Sequence, residues 1–336
     1  MMSFSILNEK NLKPITATGT YVIGLFEVCE DYEQIIEAVK ELQEEMKELK
    51  TIEVKNKVYK INHYLGGDMK FLLLSNGLMS ANSNYPCLYC KYRAGTTSEA
   101  NLDNEKCRWS MLNKKWRRTT KGAIKIILEE TKNANNNETE NSSKSSNKSI
   151  FDKNEKIFCQ KHKPIFDHIP IKRIVIDILH LYLRICDRLM SLLFKQLQSF
   201  DESENLRKIQ KKSFYVNRLI NYFQKDLKIS KPQYFDKITK KICLRDFRGG
   251  EYKKILTNIN LVENLKNLRH VKKVQRLWNN FSDIIESVKL NDKEFQLQHK
   301  TLAWLQLFLQ IYDNDSVTPY IHNFVYHLHE PKKVTW

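Results

Sequence analysis

Cys87 and Cys90, in NYPCLYCKY, stand at the C-x₂-C spacing that offers two thiolates to one metal ion. A tetrahedral site needs two more donors, and two places in the chain could supply them. One is TPYIHNFVYHLHE (318–330), where His322 and His327 form an H-x₄-H. The other is FCQKHK, with Cys159 and His162. Spacing alone leaves both completions open. In the first, 231 residues separate Cys90 from His322, so a zinc held there is a structural clamp on a large segment rather than a local finger. A five-residue spacing also does not bring two imidazoles onto one face of an ideal helix, so the pair needs a helix end or a distortion.

Carboxylates make up a second group. Asp68 follows a glycine pair in GGDMKFLLLSNGL (66–78) and reads as a turn aspartate or as an oxygen ligand for Mg²⁺. In IVIDILHLYLRICDRL, Asp177, His180, Arg184 and Asp187 fall at i, i+3, i+7 and i+10, one polar stripe on an otherwise apolar segment. Intrahelical ion pairs account for such a stripe, and so does an active-site helix presenting Asp177 and His180. A third group is basic. Residues 106–128 hold eight Lys/Arg and no acid, interleaved with Trp109 and Trp116. Arg108, Lys114, Lys115, Arg117, Arg118 and Lys121 are the phosphate-contacting candidates, with indoles able to stack on bases or pack in the core.

The elements that must position these residues follow from periodicity. TYVIGLFEV (20–28) reads as a strand. Residues 31–50 read as an amphipathic helix, and 51–65 as one or two strands with a turn at Lys55–Lys57. Asp68 then sits at the carboxyl end of a strand. Residues 131–149, TKNANNNETENSSKSSNKS, have almost no apolar side chain to offset ordering entropy and are expected to form a disordered loop. From 171 to 310 every pattern reads as helix: 174–198, 204–226, 251–268, 271–290 and 293–312, punctuated by KPQYFDK (231–237) and Gly249–Gly250. The fold class is α+β, mainly α. A small α/β unit (1–78) precedes a large helical one (79–330) and a short tail (331–336).

The 336 residues carry 56 basic and 39 acidic side chains, a net charge of +17. An excess of that size favours a polyanionic partner. It is uneven: residues 1–60 hold 8 basic and 11 acidic groups, whereas residues 205–245 hold 12 and 2. The most apolar stretch (174–194) contains five ionisable groups, which argues against a membrane span. Seven cysteines, an odd count with no secretory signal pattern, read as reduced thiols or metal ligands. A nuclear or cytoplasmic, non-secreted protein is expected.

Taken in order, these stretches resemble one family: the catalytic core of the vertebrate V(D)J recombinase and its Transib-type transposase relatives. The strand–helix–strand segment Tyr21–Leu65, the GGDMKFLLL…NYPCLYC segment with Asp68 nineteen residues before Cys87, the D-x-x-H of Asp177 and His180 after Ile169–Pro170, and TPYIHNFVYH carry the resemblance. GEYKKIL (250–256) adds a weaker match. The resemblance implies a partial RNase H-like sheet followed by a zinc-bound helical insertion. It assigns the zinc to Cys87, Cys90, His322 and His327, and identifies Asp68 as the second catalytic aspartate, a ligand for magnesium or manganese in a complete core. The family's first Asp and final Glu have no counterpart here, which implies a DDE core truncated at both ends and unable to cleave DNA alone. A non-enzymatic, zinc-organised nucleic-acid-binding or scaffold protein is the alternative. DNA and a second copy of the chain, as a homodimer, are the expected partners; a membrane is not.

Overall fold

The computed structural model describes residues 2–4, 21–24, 31–94, 117–137, 158–208, 214–238, 241–265, 270–290 and 294–328. Among these the chain is α+β and mainly helical, with short strands paired two by two. It divides into two compact units, Met1–Asp177 with Tyr326–Trp336, and Ile178–Val325. The division at Asp177 differs from the expected one at residue 78.

In the first unit, β1 (Met2–Phe4) pairs antiparallel with β2 (Tyr21–Gly24). The helix expected over 31–50 forms as two, α1 (Tyr32–Ala38) and α2 (Lys40–Glu48). Asp31 caps α1 by accepting the Gln34 amide at 3.0 Å. Val39 is buried at the break, with its backbone turned out of the helical region. Strands β3 (Thr51–Val54) and β4 (Lys57–Lys60) form an antiparallel hairpin. Its two turn residues, Lys55 and Asn56, both have positive φ (51° and 59°), the twist that suits a two-residue connection.

Strand β5 (Leu65–Gly67) pairs in parallel with β6 (Ile174–Ile176). This corrects the reading of 174–198 as helix throughout. Ile174-Val175-Ile176 is a β-branched run whose apolar character merges in sequence with the helix that follows, so periodicity does not separate them. After β5, α3 (Met69–Ser75) buries Met69, Leu72 and Leu73. It ends at Gly77, where φ is +68° and a Cβ would lie 2.0 Å from the His162 carbonyl oxygen. Helix α4 (Thr120–Asn137) runs through 131–137, the first part of the expected loop; residues 138–149 lie outside the described residues.

The second unit opens with α5 (Ile178–Lys208), 31 residues and about 46 Å long. Leu181, Ile185, Leu189, Leu193 and Leu197 recur every four positions along its buried side. Then come α6 (Phe214–Lys225), α7 (Gly249–Asn258), α8 (Leu261–Asn264), α9 (Val271–Lys289) and α10 (Glu294–Leu309). The segment read as a break at 231–237 is a strand, β7 (Gln233–Asp236), paired antiparallel with β8 (Lys241–Leu244). Four-residue strands give too short an alternation to stand out among helical patterns. Trp278, Phe281, Trp304, Phe308 and Phe324 are among the unit's fully buried aromatic side chains, and Trp304 Nε1 donates to the Leu277 carbonyl at 3.0 Å. Truncating any of them to Ala costs about 3–5 kcal/mol.

The last helix, α11, spans Pro319–His327. Among the described residues each sheet has two strands, so the RNase H-like sheet implied by the resemblance is not assembled there. Among them, too, no helix is long and apolar enough to cross a membrane.

Candidate metal centre

Cys87 and Cys90 lie in an irregular segment after α3, and both are fully buried. Tyr89, within the turn between them, makes contacts that help to hold it. The Tyr89 amide points at Cys87 Sγ (3.4 Å). The Tyr89 hydroxyl donates to the Ile174 carbonyl in β6 (3.0 Å). The Tyr89 carbonyl accepts the Arg118 amide (2.9 Å). An N–H aimed at a cysteine sulfur stabilises the thiolate and orients it, the role that outer-shell contacts play around bound metals.

His322 and His327 are equally buried, 1% exposed each. Pro319 opens α11 at the position where a missing N–H is harmless. His327 is the final residue of the helix, so the pair meets the requirement for a helix end. One ligand atom from each of Cys87, Cys90, His322 and His327 lies within 4.8 Å of the others. Arg117 Nη1 is 3.4 Å from His327 Nδ1. Among the described residues, no hydrogen-bond partner faces two particular atoms of the pair, the buried Nε2 of His327 and Nδ1 of His322. Two sulfurs and two imidazole nitrogens, buried and convergent, fit a four-coordinate, borderline-soft divalent ion such as zinc. Burial first, and then the neighbouring Cys87, pushes the Cys90 thiol well above its ordinary range; a divalent cation at the site would reverse that balance in favour of the thiolate.

Arg118 is an unforeseen part of the centre. The sequence placed it on a basic surface. The fold buries it, with Nε donating to the carbonyls of Cys87 (2.8 Å) and Cys90 (3.2 Å) and Nη2 to those of Tyr85 (3.1 Å) and Phe158 (2.8 Å). Its fixed fork of donors lets one side chain gather three backbone oxygens of the knuckle segment and tie them to the turn at Phe158. Nothing in WRRTTK separates this arginine from its neighbours, so only the fold reveals it. Of the other basic candidates, Arg117 is half-buried and Lys121 is exposed on α4, while Arg108, Lys114 and Lys115 lie outside the described residues.

The competing pair does not converge. Cys159 is buried in a left-handed turn (φ 60°), and its carbonyl accepts the Met79 amide. His162 stacks on Tyr32 at 4.1 Å between ring centroids, with Nδ1 3.9 Å from Glu33. Neither belongs to a convergent donor group among the described residues.

Asp68 follows β5 directly and caps α3, its Oδ1 accepting the Phe71 amide at 2.8 Å. Asp177 follows β6 directly and lies before α5 rather than on it; His180 is exposed in the first turn of α5. Further along the stripe, Arg184 pairs with Asp187 at 3.5 Å and the Tyr252 hydroxyl donates to Asp187 at 2.5 Å, so this half-buried carboxylate has a structural account. No protein-family model matches the chain, and no curated protein matches it.

Proposed function

We propose that this chain is a transposase- or recombinase-derived DNA-binding protein whose fold is organised by one structural zinc. The observation that carries the proposal is the convergence of Cys87 and Cys90 with His322 and His327 across 231 intervening residues. This is the ligand set to which the sequence resemblance points, and it differs from the local spacing of common zinc modules. The net charge of +17 supports a polyanionic partner. The RNase H-like relationship, the nuclear or cytoplasmic location and the homodimer belong to the same proposal.

A binding role without chemistry is favoured by one observation. Asp68, the matched triad acid, uses a carboxylate oxygen to cap α3. Two-metal phosphoryl chemistry needs carboxylates from several elements to hold two ions about 4 Å apart. On this reading the 336-residue polypeptide binds DNA but does not cut it.

The test is duplex binding followed by fluorescence anisotropy across a salt series. Affinity is expected to fall steeply between 50 and 200 mM salt, with little sequence preference. Absence of binding, or binding indifferent to salt, overturns the proposal. Mg²⁺- or Mn²⁺-dependent nicking that Asp68→Ala abolishes overturns the non-cutting part of it.

A further inference from the structure

The β7–β8 hairpin of the second unit exposes side chains that a soluble surface usually hides. Tyr234 is 54% exposed, Phe235 61% and Ile238 92%. Tyr234 stands opposite Cys243 and Phe235 opposite Ile242, so the two aromatics point to opposite faces of the ribbon. Ile238 lies beyond β7 at the turn, where its amide donates to Asp236 Oδ1 at 2.8 Å.

The base of the ribbon is fixed. Arg245 donates to the carbonyls of Ser230 (3.1 Å) and Lys231 (3.0 Å) and makes a two-pronged pair with Glu251. Gln198 on α5 donates to the Ile242 carbonyl at 3.1 Å. A tethered base and an exposed apolar end make a projection rather than a loose loop.

Charge identifies the partner. Residues 228–248 carry seven basic and two acidic side chains. Lys228, Lys231, Lys237 and Arg248 are exposed. Lys228 and Lys231 adopt left-handed backbone (φ 53° and 46°), a conformation disfavoured for a residue with a side chain. A second copy of this hairpin would bring like charges together. Apolar groups on both faces of a narrow ribbon suit insertion beside stacked bases better than a one-sided bed in a lipid surface.

We propose that the β7–β8 hairpin is a DNA-contacting ribbon, in which the lysines at its base and turn neutralise phosphates while Tyr234, Phe235 and Ile238 lie against the bases. Antiparallel ribbons fit the major groove and serve as readers of either groove. The inference rests on the DNA-binding reading above and adds the element that makes the contact.

The test compares the 336-residue chain with two variants, Phe235→Ser/Ile238→Ser and Lys231→Ala/Lys237→Ala, on a 30-base-pair duplex. All four side chains are exposed, and unchanged circular dichroism and metal content verify the fold. The apolar variant is expected to bind about tenfold more weakly with an unaltered salt slope. The lysine variant is expected to lower the slope by about two. Wild-type binding that both variants reproduce overturns the hairpin assignment and leaves the DNA-binding proposal standing; failure of the wild type to bind sinks that proposal itself. Two further results also overturn the assignment: loss of binding to anionic phosphatidylserine vesicles with DNA affinity intact, or a change only in oligomeric mass.

Discussion

Asp68 and Asp177 each stand one residue beyond the end of a strand, and the two strands pair in parallel with Gly67 opposite Ile176. The Asp177 amide extends the ladder, donating to the Gly67 carbonyl at 2.8 Å. Carboxylates at the carboxyl ends of neighbouring parallel strands sit where open α/β sheets commonly place ligands. Asp68 nevertheless has a structural duty as the α3 cap. Substitution separates the two roles. Asp68→Asn keeps a capping oxygen and is expected to leave the urea midpoint nearly unchanged, whereas Asp68→Ala is expected to cost about 1 kcal/mol. Equal losses in both variants would show that the charge, not the cap, is what the fold uses.

Metal content tests the centre directly. One zinc per chain is expected by elemental analysis, lost in Cys87→Ser and in His322→Ala/His327→Ala and retained in Cys159→Ser/His162→Ala. Structural zinc contributes on the order of 10 kcal/mol in small domains, comparable with the whole stability of an ordinary fold. Chelation should therefore lower the thermal midpoint by tens of degrees. A zinc-free protein with an unchanged midpoint would remove the clamp from the account.

Arg118 gives a prediction that opposes its sequence reading. A surface arginine contacting phosphate would, on truncation, weaken DNA binding and lower the salt slope by about one. Buried on four carbonyls, it should instead destabilise the fold. Arg118→Ala is expected to cost at least about 3 kcal/mol in urea unfolding, because several buried acceptors lose their donor together. Arg118→Lys should recover only part of that, since a single ammonium cannot span the same oxygens. A stable Arg118→Ala protein with a reduced salt slope would restore the surface reading.

The sequence showed the parts of this protein whose signal is local in type but not in place. Cys87, Cys90, His322 and His327 were recognisable as donors from spacing, yet spacing could not choose between His322/His327 and Cys159/His162. That choice depends on the fold, which stacks His162 on Tyr32 and turns His327 toward Arg117. Helices with long apolar periods, such as Val271–Lys289, were legible to within a residue or two. Ile174–Ile176 was not, because a three-residue strand takes its identity from a partner about a hundred residues away. The β7–β8 hairpin escaped for a related reason: with apolar residues on both faces it lacks the in–out alternation that marks a half-buried strand.

The last prediction concerns two histidines that no motif singled out. His63 and His168 lie edge to face, 5.6 Å between ring centroids and 86° between planes. His63 Nε2 and both ring nitrogens of His168 are shielded from solvent and make no hydrogen bond among the described residues. Burial, and after it Arg173, holds His63 below the ordinary imidazole range. Burial, then His63, does the same for His168; Asp167 works against this shift and Lys47 with it. Asp167 and Lys47 are themselves paired at 3.0 Å. The sign follows from linkage. Above the unfolded value of about 6.5 both rings are neutral in both states and contribute nothing to the pH dependence. As pH falls through 6.5 the unfolded chain takes up protons that the folded one resists, so stability declines until the depressed folded values are reached and then levels. The urea midpoint should therefore drop between pH 7.5 and 5.5, and His63→Gln/His168→Gln should flatten that drop. Proton competition for a metal held at Cys87, Cys90, His322 and His327 would act equally on wild type and variant, so the difference between the two curves isolates the histidine pair. Superimposable curves would show that His63 and His168 titrate alike in the folded and unfolded chain.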